Sequence, residues 1–133
     1  MQEKIRDQLI ATAVSACQKA YAPYSNFQVG AALLAGGGTI YTGVNVENAS
    51  YGLTNCAERT AVFSAIADGE RQFEAVAVAS SGGVAPCGAC RQVLHEFAPE
   101  LTVLLIDVTQ HNRVTEVSLE VLLPDPFSAK HEN

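Results

Sequence analysis

Three cysteines in two short motifs have the spacing to bind one metal ion. The motifs are Cys56-Ala57-Glu58 and Pro86-Cys87-Gly88-Ala89-Cys90, and each is predicted to open a helix just after a loop. Cys87 and Cys90 are three residues apart, so a helix places both thiols on one face. Three thiolates at a tetrahedral Zn²⁺ leave the fourth position for water, which is the catalytic pattern, whereas structural zinc usually has four protein ligands. The sequence therefore predicts one zinc ion per chain, bound by Cys56, Cys87 and Cys90.

Two other interpretations of the cysteines are weaker. A redox dithiol of the thioredoxin type follows an early βαβ strand and involves no third cysteine. A structural zinc site needs a fourth ligand, and none of the remaining candidates has a ligand's spacing: Cys17, His95, His111 and His131. Cys17 lies among alanines on a predicted helix, where a small buried side chain is the expected role.

Glu58 decides what chemistry the metal site could perform. Taken alone, a glutamate three residues after Asn55 resembles a capping box at the start of a helix. Because Glu58 is also two residues after a predicted ligand, its carboxylate can reach a metal-bound water without binding the metal. It could then act as a general base and afterwards as a general acid.

The predicted site carries excess negative charge, because three thiolates outweigh the two positive charges of Zn²⁺. Each helix N-terminus supplies roughly half a positive charge. We expect Arg59, with Arg91 as the weaker candidate, to donate hydrogen bonds to the ligand sulfurs. The alternative for either arginine is a solvated surface charge.

The elements that must position these residues follow from hydrophobic spacing. A first helix is predicted from Ile5 to Ala20, ending before Pro23. Segments 28–34 and 39–46 read as a hairpin around three glycines. The later elements are helices over 56–67 and 87–97, buried strands over 73–79 and 101–106, and a segment, 114–123, that could be a strand or a short helix. The order predicts an α/β fold, a three-layer α/β/α domain with a mixed sheet of about five strands.

Composition excludes several classes of function. The chain has 133 residues, 48% of them hydrophobic and 17% charged, which fits a single folded domain over residues 1–133. Its 8 basic and 14 acidic side chains give a net charge of −6, which disfavours a nucleic-acid partner. The sequence has no apolar run of the ~18 residues needed to span a bilayer, so we expect no membrane partner. Residues 1–7 include charged side chains where a signal peptide would be apolar, so we expect a cytoplasmic location.

Further motifs extend over nearly the whole chain. They are Tyr24-Ser25-Asn26-Phe27, Val29-Gly30-Ala31-Ala32, the segment 43–52 (GVNVENASYG), Cys56-Ala57-Glu58-Arg59, Pro86-Cys87-Gly88-Ala89-Cys90-Arg91-Gln92, and Leu122-Leu123-Pro124-Asp125-Pro126-Phe127. In this order and combination they resemble the small, one-domain cytidine deaminases, whose zinc chemistry with a non-ligand glutamate is well described.

The resemblance implies a reaction and a set of roles. Zinc on the three cysteines activates water for attack at C4 of cytosine, Glu58 relays protons to N3 and the exocyclic amine, and ammonia leaves. The substrates would be the nucleosides cytidine and 2′-deoxycytidine, in pyrimidine salvage. The residues implied to bind substrate are Phe27 as a stacking partner for the base, Asn45 and Glu47 at the ribose, and Val46, Tyr51, Ala57 and Phe127.

The sequence itself bears on two of these roles. Asn45 and Glu47 alternate with valines, which puts the carboxamide and the carboxylate on one strand face, where they could bind a sugar or simply face solvent. Phe127 is implied to reach a neighbouring subunit's site in a homotetramer, although it could equally fold onto its own domain. Pro126 stiffens its approach and departs from the small residue common in the family.

Two alternatives to the leading function stay open. One keeps the zinc chemistry with a modified or antibiotic cytosine nucleoside as substrate. The other is a non-catalytic interaction module stabilised by zinc. The second alternative requires Glu58 to be dispensable, whereas the enzyme requires it.

Overall fold

A five-stranded sheet forms the centre of the chain, and helices cover both of its faces. The computed structural model describes residues 1–129. Its helices are α1 (Glu3–Cys17), α2 (Ala57–Ala67), α3 (Gly88–Phe97) and the short α4 (Leu119–Leu122), with a single 3₁₀ turn at Tyr51–Leu53. Its strands are β1 (Gly30–Ala35), β2 (Ile40–Val44), β3 (Phe73–Ser80), β4 (Thr102–Asp107) and β5 (Arg113–Ser118).

The sheet is mixed, as expected. Its strand order is β2-β1-β3-β4-β5. Strands β3 and β4 are parallel and connected through α3, while the other neighbouring pairs are antiparallel. Because parallel strands end at the same edge of a sheet, the chain leaves Ser80 and Asp107 side by side.

Two hydrophobic clusters, one on each face, hold the layers together. On one face α1 packs Leu9 and Ala13 against β1 and β3. On the other, α2 and α3 contribute Val62 and Leu94 to a cluster that also contains Leu33. All six residues of β1 are buried, which explains its continuous apolar run. The predicted α/β/α arrangement is therefore confirmed.

Several element boundaries differ from the predictions. The first helix ends at Cys17 rather than at Ala20, because tight backbone hydrogen bonds turn the chain there and lead Tyr21 to pair with Asn45 and Glu47. Strand β2 ends at Val44, two residues early. The ambiguous segment 114–123 contains both candidates, a strand and then a helix of one turn. The longest helix, α1, has 15 residues, and within residues 1–129 none is long and apolar enough to cross a membrane.

Strand β2 touches the first turn of α2 at a glycine. A Cβ atom added at Gly43 would lie 2.2 Å from the carbonyl oxygen of Ala57 and 2.5 Å from the amide nitrogen of Ala61. Both atoms are backbone, so the close approach requires a residue without a side chain. This contact fixes the height of α2 above the sheet, and with it the positions of Cys56 and Glu58.

Candidate metal centre and active site

The three cysteines of the two motifs converge in space. Their sulfur atoms all lie within 4.8 Å of one another, and Cys56 Sγ is 3.8 Å from Cys87 Sγ. Tetrahedral zinc with bonds of ~2.3 Å separates its sulfur ligands by about 3.8 Å, so the observed spacing fits that ion. Within residues 1–129 no histidine joins this group. His131 lies outside the described residues, and Cys17 is buried elsewhere, with its thiol 3.4 Å from the carbonyl oxygen of Gln28.

The ligand positions come from two helix starts, as the motifs predict. Cys56 is the N-cap of α2 and Cys87 is the N-cap of α3, while Cys90 lies in the first turn of α3. Helix N-termini carry partial positive charge from unpaired N–H groups. Two such ends at one cluster favour the thiolate form that binds metal.

Arg59 supplies further positive charge to the sulfurs. Its Nη2 donates a hydrogen bond to Cys56 Sγ at 3.2 Å. The thiol of Cys90, followed by Arg59, lowers the pKa of Cys56 well below its usual range. Arg91 has a different role, because its Nε donates to the carbonyl oxygen of Pro86 and its Nη1 to that of Leu122, both at 2.7 Å. Arg91, the weaker candidate for a sulfur contact, therefore joins two backbone segments and, within residues 1–129, donates no hydrogen bond to a sulfur.

Glu58 is buried beside the sulfurs, with 5% of its surface exposed. The capping box that the sequence suggested does not form, because the N-cap of α2 is Cys56 and not Asn55. The side-chain amide of Asn55 instead donates a hydrogen bond to the Thr60 hydroxyl. Burial raises the pKa of Glu58 to about 7, and the negative charge of Cys56 adds to the rise. A carboxyl group with this pKa can both accept and donate a proton near neutral pH.

A cavity of about 230 Å³ lies next to the loop that leads into Cys56. It is lined by Tyr24, Ser25, Glu47, Asn48, Tyr51 and Thr54. The carboxylate of Glu47 accepts hydrogen bonds from the amides of Tyr24 at 2.9 Å and Ser25 at 3.1 Å, and from the Ser25 hydroxyl. Those bonds, with the Ser25 hydroxyl first, lower the pKa of Glu47. Glu47 is therefore an ionised, well-oriented acceptor at the wall of the cavity.

Asn45 is a tightly bonded residue rather than a free one. It is 7% exposed, its Oδ1 accepts from the amide of Val29 at 2.9 Å, and its Nδ2 donates to the carbonyl oxygen of Phe27 at 2.8 Å. One amide N–H remains for a ligand. Although β2 ends before it, the backbone stays extended through hydrogen bonds with Tyr21, so Asn45 and Glu47 still share a face.

The other candidate residues for substrate binding differ in exposure. Phe27 is 36% exposed and Val46 is 44% exposed, so both can be contacted from outside. Ala57 is fully buried, and it is the first residue of α2, where a backbone amide has no acceptor within the helix.

Tyr51 and Phe127 project outward. Each is 75% exposed. The Tyr51 ring contacts Tyr24 edge-on, with ring centroids 5.9 Å apart. The carbonyl oxygen of Phe127 accepts a hydrogen bond from Gln92 Nε2 at 2.9 Å, so α3 holds this part of the C-terminal segment against the domain while the aromatic ring stays free.

Sequence reasoning assigned no role to Tyr24 and Ser25, which orient Glu47. The signal was present, since Pro23 and Asn26 surround them and Asn26 adopts a φ of 59°. Proline and a left-handed asparagine indicate a turn. Nothing in the local sequence says that this turn folds onto a carboxylate more than 20 residues away.

The fold and the site together define a zinc-binding α/β/α protein with a proton-transferring carboxyl group beside the metal ligands. A sequence model described as the cytidine and deoxycytidylate deaminase zinc-binding region matches residues 3–106. A relative from Halalkalibacterium halodurans named cytidine deaminase is 48% identical over 130 residues, covering 96% of this chain and 98% of the relative.

Another cytidine deaminase, from Sporosarcina psychrophila, is 50% identical over 92% of this chain and 90% of its own length. The crystal structure of cytidine deaminase from Burkholderia pseudomallei superposes with a TM-score of 0.87 at 52% identity, covering 96% of this chain and all of that one. The chain belongs to the cytidine and deoxycytidylate deaminase family of zinc-binding domains.

Proposed function

We propose that this protein catalyses the hydrolytic deamination of cytidine and 2′-deoxycytidine to uridine and 2′-deoxyuridine, with release of ammonia. The observation that carries the proposal is the buried carboxyl group of Glu58 beside three converging cysteine sulfurs. The identity of about half the sequence with proteins named cytidine deaminase supports the same substrate class.

In this mechanism Cys56, Cys87 and Cys90 hold zinc, which when bound acts as a Lewis acid and lowers the pKa of water. Glu58 accepts a proton from the attacking water and delivers it to N3 of the pyrimidine ring. The oxygen of that water forms a bond to C4. Glu58 then takes the second proton from the hydroxyl group on C4 and passes it to the exocyclic amine, so that the C4–N bond breaks and ammonia leaves. The raised pKa of Glu58 allows it both to accept and to donate a proton near neutral pH. Arg59 stabilises the Cys56 thiolate through its hydrogen bond to the sulfur.

The sugar and the base are bound by separate groups. Glu47 accepts a hydrogen bond from a sugar hydroxyl, since Tyr24 and Ser25 fix its carboxylate, and the remaining N–H of Asn45 donates to the same sugar. Phe27 stacks on the cytosine ring, and the backbone amide of Ala57 donates to the base. Val46 and Tyr51 contact the nucleoside at its edges.

We further propose that the chain acts as a single domain in a cytoplasmic homotetramer whose active sites are completed by neighbouring subunits. The cluster opens to solvent at Cys87, and the exposed rings of Tyr51 and Phe127 are available to a neighbour. The cytosol is the compartment that keeps thiols reduced, and all four cysteines are free.

The conversion of cytidine to uridine, followed by ultraviolet absorbance on protein of known zinc content, tests the function directly. We expect turnover in samples that contain about one zinc per chain, and loss of turnover when a chelator removes it. A fully zinc-loaded protein that leaves cytidine unchanged would contradict the proposal. Parallel assays with modified cytosine nucleosides would show whether such a compound is the substrate instead.

Replacing Phe127 with alanine tests the shared site. We expect a KM for cytidine raised about tenfold or more, because a buried aromatic contact with the base in a neighbouring site is lost. Phe127→Tyr keeps the ring and should stay near the parent value. If Phe127→Ala turns over cytidine normally and the protein sediments as a monomer, the shared-site proposal is wrong.

A further inference from the structure

The loop that delivers Cys87 is irregular and depends on contacts with the rest of the protein. It runs from the end of β3 over residues 81–86, and Gly82 and Gly83 adopt positive φ values of 91° and 62°. A glycine-containing loop has many accessible conformations in isolation. A metal ligand at its end therefore needs anchors that hold the loop in one of them.

Asp107, at the end of β4, provides one such anchor. Its Oδ1 accepts hydrogen bonds from the amide of Gly82 at 2.9 Å, from the amide of Thr109 at 3.0 Å and from the Thr109 hydroxyl at 2.6 Å. The side chain is buried, with 8% exposed. These bonds, with the Thr109 hydroxyl first, lower the pKa of Asp107, so the acceptor is a carboxylate at neutral pH.

Ser80 provides a second anchor on the adjacent parallel strand. It is fully buried, and its hydroxyl oxygen accepts a hydrogen bond from the amide of Val84 at 3.1 Å. Gly83 packs closely against Asp107, since an added Cβ at Gly83 would lie 3.2 Å from the amide nitrogen of Asp107. The far end of the loop is held by Arg91, which donates to the carbonyl oxygen of Pro86 at 2.7 Å. Thus the loop is fixed at both ends, next to a predicted ligand.

We propose that Asp107, assisted by Ser80, is a positioning residue for the metal centre that sets how tightly Cys87 holds zinc. Asp107 lies one residue beyond the region matched by the family model and outside every cysteine motif. The carboxylate acts through the backbone of the loop, because it accepts a hydrogen bond from the amide of Gly82, while its bonds with Thr109 hold the carboxylate in place. The inference rests on the three-cysteine zinc site but not on the identity of the substrate.

The test measures release of zinc from the purified, metal-loaded protein to a chromogenic chelator. Asp107→Ala leaves the Gly82 amide without its acceptor, and we expect zinc to leave about tenfold faster or more, within the range found for residues that orient metal ligands. Asp107→Asn keeps an oxygen that can accept the bond from Gly82, so its zinc release should be nearly as slow as that of the parent protein. It should be slightly faster than the parent because a neutral amide oxygen is a weaker acceptor than a carboxylate. The Co²⁺-loaded protein should show a shifted thiolate-to-metal absorption band only in the alanine variant.

Tyr41→Phe is a matched control. It removes another hydrogen bond between a hydroxyl and a carboxylate, that of Tyr41 with Asp68, at the opposite end of α2 from Cys56. Zinc release from this variant should equal that of the parent protein. If Tyr41→Phe accelerates release as much as Asp107→Ala, general loosening of the fold explains the effect and the proposal fails.

Parent-like zinc release from a folded Asp107→Ala protein would also overturn the proposal. Should that variant fail to fold, Ser80→Ala decides, because it removes one buried hydroxyl and keeps the strand. Release about fivefold faster or more from Ser80→Ala supports the anchoring role, since that is the change in rate given by the ~1 kcal/mol of one hydrogen bond, and unchanged release contradicts it. Each readout concerns zinc alone, so a wrong substrate assignment would leave the result intact.

Discussion

Glu58→Gln is expected to lower kcat for cytidine by at least ~10²-fold while zinc stays bound, since one general acid–base group contributes ~10²–10⁴. Glutamine has nearly the same shape but cannot take a proton from water or give one to the leaving amine. The folded protein should be at least as stable as the parent, because the buried carboxylate is replaced by a neutral group. Turnover, zinc content and thermal unfolding of the same preparation check all three expectations.

The matched control for Glu58→Gln is Glu74→Gln, which makes the same change at an exposed position on β3. Its kcat should equal that of the parent protein. A Glu58→Gln enzyme that retains its zinc and works within tenfold of the parent rate would show that another group moves the protons. The non-catalytic zinc module would then regain support.

Gly43→Ala is expected to destabilise the protein by about 3 kcal/mol, the upper end for overpacking a core. The new methyl group would meet the backbone of α2 at 2.2 Å and 2.5 Å, and neither atom belongs to a side chain that could rotate away. Strand and helix must therefore separate. For a chain of this size the melting temperature should fall by roughly 10 °C.

The same substitution should reduce activity more than its effect on stability suggests. Moving α2 shifts Cys56 and Glu58 relative to the ligands on α3, and a misplacement of about 1 Å can cost ~10²-fold in rate. We expect kcat and zinc affinity to fall together at temperatures where the protein is folded. Calorimetry and assays at 15 °C, well below the expected transition, separate the two effects.

Gly37→Ala serves as the control for Gly43→Ala. It lies in the hairpin turn between β1 and β2, where an added Cβ would meet open space, so the change in stability should be within about 0.5 kcal/mol. If Gly43→Ala behaves like Gly37→Ala in both melting temperature and rate, the close approach of β2 to α2 does not position the site.

The grouping of ligands within each cysteine motif could be predicted from sequence because that spacing is local, whereas the approach of Cys56 to Cys87, 31 residues away, depends on the fold. Cys87 and Cys90 must share a face once α3 forms, and glycine and proline around the motifs mark where the helices begin. The layered fold followed from continuous apolar strands alternating with helices, since such strands need cover on both faces. The ends of elements were less predictable: α1 stops at Cys17 because Tyr21 must pair with Asn45 and Glu47, which is a contact between distant segments.

Residue types and motif spacing identify the groups that could do chemistry, whereas the packing of the domain selects the neighbours of each group. From the sequence either arginine could have been a solvated surface charge, yet Arg59 donates to a sulfur and Arg91 donates to backbone carbonyls. Likewise, nothing near Asp107 in the chain points to the cysteine loop until β3 and β4 pair in parallel and bring their ends together. Periodicity and motif spacing constrain only a few turns of chain, whereas hydrogen bonds between segments dozens of residues apart depend on how the whole domain packs.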